Sequence, residues 1–204
     1  MKKIMCFALA LLCVLSFSAC TKKNEDVKQE LHEDIPKAYV GDIDVEQSIK
    51  IADLNIVIKD SIFYVNDILF KFSEFEKTNK LSTQFGDGML DVYVEDNTLQ
   101  KCVVYAEDDT SVTTYNIDGK SSSCQKCRFD EYGNKVYEAE YDGEGVLQSF
   151  YTATYENMKI SEKHEYNPKM ELTAVVKYEY DEDGNLLKEI VYDAELHLKE
   201  VKES

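Results

Sequence analysis

Few residues of this chain have the types and spacing that chemistry needs. Cys124-Gln-Lys-Cys127 has the spacing of a redox pair. A catalytic dithiol needs a helix N-terminus, or a similar electropositive setting, to lower a thiol pKa. Here Ser121-Ser-Ser precedes and Arg128-Phe129 follows, which reads as a loop entering a strand. Residues three apart on a strand point to opposite faces. A structural disulfide drawing on Cys102, Cys124 and Cys127 is therefore expected ahead of a thiol-based redox enzyme using Cys124 and Cys127, which stands as the alternative. Three thiols and a stray histidine do not show zinc-ligand spacing.

Asp181-Glu-Asp-Gly184 has the look of half a calcium loop. The full loop needs a bidentate acid several residues on, and Glu189 reaches that place only if the second strand is broken. Turn chemistry explains the same residues, with weak calcium binding at the acidic turns as the alternative. His32, His164 and His197 are scattered and assemble no Ser/His/Asp or Cys/His set. His164 alternates with Tyr166 and is expected to be a partly buried histidine. No catalytic residue, cofactor or metal site is expected.

The N-terminus bears on location. Lys2 and Lys3 precede the apolar run Ile4–Phe17, which is too short for a membrane anchor and has the form of a signal-peptide core. Ser18-Ala19-Cys20 resembles a bacterial lipobox. That resemblance implies removal of residues 1–19, diacylation of Cys20 and attachment to the cell envelope, periplasmic or surface-exposed, through lipid. A plain secretory signal cleaved near Ala19 is the alternative. Residues 1–19 carry two lysines and no acid, so their loss takes the formal charge from −17 to −19. Such a charge opposes nucleic acid and anionic lipid surfaces, since both need a cationic partner. Arg128 is the sole arginine, so no guanidinium cluster exists for phosphate.

The elements that must position these residues read as mainly β. Residues 20–37 are polar and lack periodicity, as a flexible tether would. A small mixed β/α portion is expected over 38–91. Ile49, Ile51 and Leu54 are positions for a first strand. Asn55–Ile58 and Ser61–Val65 form a hairpin across Lys59-Asp60, and Asn66-Asp67 turns into a third strand, Ile68–Phe72. Ser73-Glu-Phe-Glu76 fits a capping box, which predicts a short helix over about 74–80.

From 92 to 204 the texture is that of a repeat meander. Eleven of the fourteen tyrosines lie between Tyr105 and Tyr192. Aromatics that precede an acidic or Asn-bearing turn recur at 115, 141, 166 and 192, spaced 26, 25 and 26, and at 129, 155 and 180, spaced 26 and 25. The unit is therefore a hairpin of about 25 residues, too short to hold a helix plus a strand. Period two puts Tyr137, Ala139 and Tyr141 on one face and Glu138 and Glu140 on the other. Tyr151 and Tyr155, then Tyr178 and Tyr180, extend the aromatic set, so a single tyrosine-rich face is expected opposite a charged one. That face either curls on itself or packs against the N-terminal portion.

Tyr178-Glu-Tyr-Asp-Glu-Asp-Gly-Asn-Leu186 resembles the core of a YD repeat, with partial copies at Phe129–Asn134 and Tyr141–Leu147. The resemblance spans residues 129–192 and implies strand–turn–strand units with no catalytic residues. Small tyrosine-rich bacterial lipoproteins are a nearer likeness than the large YD-repeat toxin proteins. The function expected is a lipid-anchored binding or interaction module with Tyr137, Tyr141, Tyr151, Tyr155, Tyr178 and Tyr180 as its face. Protein, peptide or glycan partners suit tyrosine, which offers stiff contact area with a polar tip. A purely structural envelope component is the alternative.

Overall fold

The computed structural model describes residues 44–204 apart from Asp109. The expected signal peptide, the expected lipidation at Cys20 and the expected tether fall outside the described residues. The protein is nearly all β, as expected. Strands β1 (Ile56–Lys59), β2 (Ile62–Val65) and β3 (Ile68–Lys71) form a three-stranded antiparallel sheet. The expected turns hold its two hairpins, with Asp60 and Asn66 at positive φ.

Eleven further strands form one antiparallel meander in which every neighbour in space is a neighbour in sequence. They are β4 (Lys80–Phe85), β5 (Gly88–Glu95), β6 (Thr98–Tyr105), β7 (Ser111–Tyr115), β8 (Ser121–Phe129), β9 (Lys135–Asp142), β10 (Leu147–Glu156), β11 (Lys159–Tyr166), β12 (Leu172–Tyr180), β13 (Leu186–Asp193) and β14 (Leu198–Glu203). The meander thus begins at Lys80, ahead of residue 92. No helix among the described residues is long and apolar enough to cross a membrane.

The helix expected over 74–80 is a single 3-10 turn, Phe72–Phe75. Its geometry puts residues i and i+3 in line, so Phe72 and Phe75 are buried together. Glu74, not Glu76, supplies the carboxylate, accepting from the Lys71 N–H at 2.8 Å. The chain is then drawn at once into the large sheet, where the Val94 N–H donates to the Asn79 carbonyl.

Everything described that packs on the large sheet does so on one face. Phe63, Val65 and Phe70 of the small sheet, with Phe72 and Phe75, meet Leu90, Val92, Leu99 and Cys102. Phe63 stacks on Phe70 at 5.2 Å between centroids. Each fully buried side chain of this size contributes about 1.5–3 kcal/mol. A second cluster on the same face holds Tyr137, Ala139, Tyr141, Phe150 and Tyr166. It is covered by the segment 44–54, where Ile49 and Ile51 pack as parts of an extended strap and form no strand. The strap is tied by backbone bonds at Leu147–Gln47, Ile49–Gly145 and Leu54–Gly119. Its backbone runs so close to two turns that a Cβ at Gly119 or Gly145 would lie 1.8 or 2.0 Å from a strap carbonyl oxygen.

Six hairpins share one turn. Tyr115, Phe129, Tyr141, Tyr166, Tyr180 and Tyr192 each pair with the residue six positions on, Ser121, Lys135, Leu147, Leu172, Leu186 and Leu198. A β-bulge accompanies each. The next residue, Asn or Asp, opens a five-residue loop whose fourth position has positive φ: Gly119, Gly133, Gly145, Met170, Gly184 and Leu196. Successive turns lie at opposite ends of the strands, which is why the period is about 25 residues and not 12.

Candidate tyrosine–lysine face

The paired registers sort the tyrosines onto two faces, not one. Ala139 opposes Phe150, and Phe150 opposes Tyr166, so these share the covered face with Tyr137 and Tyr141. Tyr151 opposes Glu138 and Glu165, which places it on the opposite, open face. The expectation of a single tyrosine face is therefore corrected. Period two holds within β9, but the bulge between Leu147 and Ser149 at the start of β10 inserts one residue and exchanges the faces. Tyr137 and Tyr141 are buried at 3% exposure. Tyr141 donates to the Glu46 carbonyl of the strap at 3.2 Å. They belong to the core.

Tyr151, Tyr155, Tyr178 and Tyr180 remain on the open face, half-buried by their own neighbours. Tyr151, Tyr155 and Tyr180 are held. The Tyr155 hydroxyl donates to the Lys135 carbonyl at 3.1 Å, and the Tyr180 hydroxyl to the Ile160 carbonyl at 3.0 Å, on the preceding strand in both cases. Lys163 stands over Tyr151 at 4.6 Å and Lys159 over Tyr180 at 5.2 Å. Lys159 also donates to the Gly184 carbonyl at 2.8 Å. Glu138 pairs with Lys135 and Glu165 with Lys163, both at 2.6 Å. Burial pushes the Tyr151 and Tyr178 hydroxyls up to about 12, with the nearby carboxylates Glu138 and Glu189 adding to the shift. The phenols are therefore neutral donors. The result is a row of aromatic area edged by ammonium and carboxylate groups, suited to stacking and hydrogen bonding.

The thiols do not meet. Cys102, Cys124 and Cys127 are free and buried. Cys124 opposes Tyr141 and faces the core, while Cys127 opposes Glu138 on the other side of the sheet. Cys102 is separated from Cys124 by β7, two strand spacings of about 4.8 Å, beyond the roughly 7 Å Cα limit for a disulfide. The expected disulfide is not formed. Burial pushes the Cys102 thiol up to about 12. Burial also raises Cys127, with Lys135 opposing. Neither is an activated thiol.

The acidic turns spend their carboxylates on the backbone. Oδ1 of Asp130 accepts from Tyr132 and Asn134, and that of Asp193 from Glu195 and His197. Asp181 accepts from the Asn185 N–H at 2.7 Å and the Asn185 side chain at 2.9 Å. The Asn134 amide holds Asp130, and the Asn185 amide Asp181, below the usual carboxylate range; the His197 N–H does so for Asp193. The group Asp193, Glu195 and His197, half-buried at Asp193 and exposed at the other two, whose ligand atoms lie within 4.8 Å of one another, is one of these turns.

Three arrangements escaped the sequence reading. Asp91, 5% exposed, accepts from Ser82 at 2.5 Å and Lys80 at 2.9 Å on the open face of β4 and β5. Burial opposes its ionisation, but Ser82 and Lys80 hold its carboxyl below the usual range. His164, expected to be partly buried, is buried at 5% exposure and bonds Glu162, which also lies 3.6 Å from Lys177. A cleft of about 300 Å³ lies beside the strap. There Lys126 pairs with Glu46 at 2.6 Å and Arg128 stands over Tyr137 at 5.6 Å. Alternating charge in β8 hinted at the last; the others depend on register.

No protein-family model matches the chain, and neither does any curated protein. Similar solved structures include a mutant S. aureus TarM in complex with Fondaparinux, alpha-GlcNAc-glycerol and UDP, at a TM-score of 0.23 and 11% identity, covering 59% of this chain and 21% of that one. A second, TarM, has a TM-score of 0.20 and 12% identity, covering 58% and 22%. The chain spans about a fifth of the length of these proteins, and at such scores the likeness carries no argument.

Proposed function

We propose that this chain is a non-catalytic binding module of the bacterial cell envelope, anchored by lipid at Cys20, that holds a peptide, glycan or protein partner on the tyrosine–lysine face of β9 to β13. One observation carries the reading: of the aromatic row Tyr151, Tyr155, Tyr178 and Tyr180, on the face where no described element packs, Tyr151, Tyr155 and Tyr180 are braced by lysines or backbone carbonyls. Rings fixed before binding lose little entropy on contact, the condition under which aromatic surfaces bind well. The strand–turn–strand units, with one turn geometry at a period of about 25 residues, support the YD-repeat likeness. The buried, separated thiols favour binding over redox catalysis.

The test is an array of glycans and peptides probed with the full chain and with the double variant Tyr151→Ala/Tyr178→Ala. Loss of binding in the variant is expected, with Tyr132→Ala, at a 68% exposed turn residue, unaffected. Binding that survives in the double variant, or turnover abolished by Cys124→Ser, would overturn the proposal.

A further inference from the structure

The last strand of the meander is an open edge whose sequence is complementary to itself. Among the described residues β14 has one neighbour, β13, and every residue from Leu198 to Glu203 is exposed. Edge strands template further pairing unless something blunts them. The run Leu-Lys-Glu-Val-Lys-Glu carries two lysines and two glutamates, so it is neutral within a chain of formal charge −17. Aligned antiparallel with a second copy about Val201, Lys199 meets Glu203, Glu200 meets Lys202 and Val201 meets itself. Every charge then faces its opposite. Charges that blunt an edge against other strands here select one register and one partner.

The backbone agrees with that register. The Ser204 N–H donates to the Leu187 carbonyl at 3.0 Å, and Lys188 opposes Glu203. Antiparallel ladders alternate between bonded and non-bonded pairs, so Glu200 and Lys202 direct their amides to β13. Val201 and Glu203 direct theirs outward. A two-fold axis at Val201 thus brings two outward N–H and C=O groups together as a reciprocal pair. The bulge at Lys199, between the pairs Glu200–Val191 and Leu198–Tyr192, loosens the ladder there, so Val201 is the anchor. On the covered-face side Val201 opposes Ile190, and a second copy extends this to a row Ile190, Val201, Val201, Ile190. The opposite edge, β4, has a single charged residue, Lys80, and no such self-complementarity.

We propose that β14 is a homodimerisation edge: two copies of this chain pair antiparallel through Leu198–Glu203 about a two-fold axis at Val201. The interface is isologous and closes, so it yields dimers and not filaments. It joins two large sheets into one and sets the two open tyrosine faces side by side. It depends on charge pattern and register alone and stands apart from the binding proposal.

The experiment is co-purification of two differently tagged full-length copies from detergent extract. Val201 is 46% exposed, and its N–H points away from β13, so changes there leave the fold in place. The wild-type copies should capture each other. Val201→Pro, which removes the outward N–H, and Val201→Lys, which sets two like charges on the axis, should each lose capture. Val201→Lys mixed with Val201→Glu should regain it, because only residue 201 meets its own copy. Capture in Val201→Pro and Val201→Lys equal to wild type, failure of the mixed pair, or no capture of wild type by wild type would each overturn the proposal.

Discussion

The two ends of the large sheet solve the same burial problem with different residues. Strands β4 to β7 present Leu90, Val92, Leu99 and Cys102 to a separate small sheet filled with phenylalanine. Strands β9 to β13 have no second sheet among the described residues. They rely on tyrosines that half-bury a ring among their neighbours and send the hydroxyl to a carbonyl of the preceding strand, as Tyr155 and Tyr180 do. Tyrosine permits this because its apolar body and polar tip can be satisfied in different surroundings. The lesson is that a single-layer sheet is held by cross-strand packing and turn geometry, which leaves one surface free for contact. The strap 44–54 marks the boundary, covering the second cluster only as far as the turns it crosses.

The largest expected effects break the covered region. Phe63→Ala removes a ring with no exposure that packs on Phe70, Phe72 and Phe75, and should cost about 3–5 kcal/mol in denaturant titration. Tyr178→Ala, half-buried on the open face, should cost about half as much. Equal costs would erase the distinction between the two regions.

Gly145→Ala should come next. The strap carbonyl of Ile49 leaves no room for a Cβ, and φ is +80°. Loss of about 2 kcal/mol or more is expected by thermal unfolding, together with faster hydrogen exchange at Leu147, whose N–H bonds the strap at Gln47. Gly133→Ala has the same strained φ with nothing within 4 Å, and should cost only about 1 kcal/mol. In the other direction, Leu196→Gly relieves a leucine at φ 65° and should stabilise by up to about 1 kcal/mol.

Much of this was legible in the sequence, and the reasons are local. Tyr-Asp-x-x-Gly-Asn specifies its turn because each residue acts on its own neighbourhood: the acid on two N–H groups, the glycine on φ. Period two within β9 or β12 is likewise local. What failed was counting across turns, because a bulge is invisible in hydrophobic alternation and exchanges the faces, sending Tyr137 and Tyr141 into the core and Tyr151 outward. The 3-10 turn replaced a helix because the spacing of Phe72 and Phe75, both drawn into one core, outweighed the cap at Ser73. The strap looked like a strand because Ile49 and Ile51 alternate, yet it makes one isolated bridge, Ser48 to Val146, and scattered backbone bonds at turns and the start of β10, not a ladder.

Smaller effects sharpen the turn account. The carboxyls of Asp130, Asp181 and Asp193 are held below the usual range in the folded chain. Their contribution is full above the unfolded carboxylate pKa and is lost as pH falls through the depressed folded values. Stability should therefore drop below about pH 4. Asp181→Asn, which keeps the acceptor as Asn167 does in its own turn, should flatten part of that drop in acid titrations followed by circular dichroism. The smallest change is expected for Glu140→Ala, exposed on the open face, at within about half a kcal/mol.

The central claim is that one face of the tyrosine-rich half is covered and the other open. Oxidative footprinting of the full chain, read residue by residue in the mass spectrometer, tests it most directly. Tyr151, Tyr178 and Tyr180 should label readily, while Tyr137, Tyr141 and Tyr166 resist until the chain unfolds. Equal protection of the two sets, or labelling of Tyr137 and Tyr141 ahead of Tyr151 and Tyr178, would contradict the account.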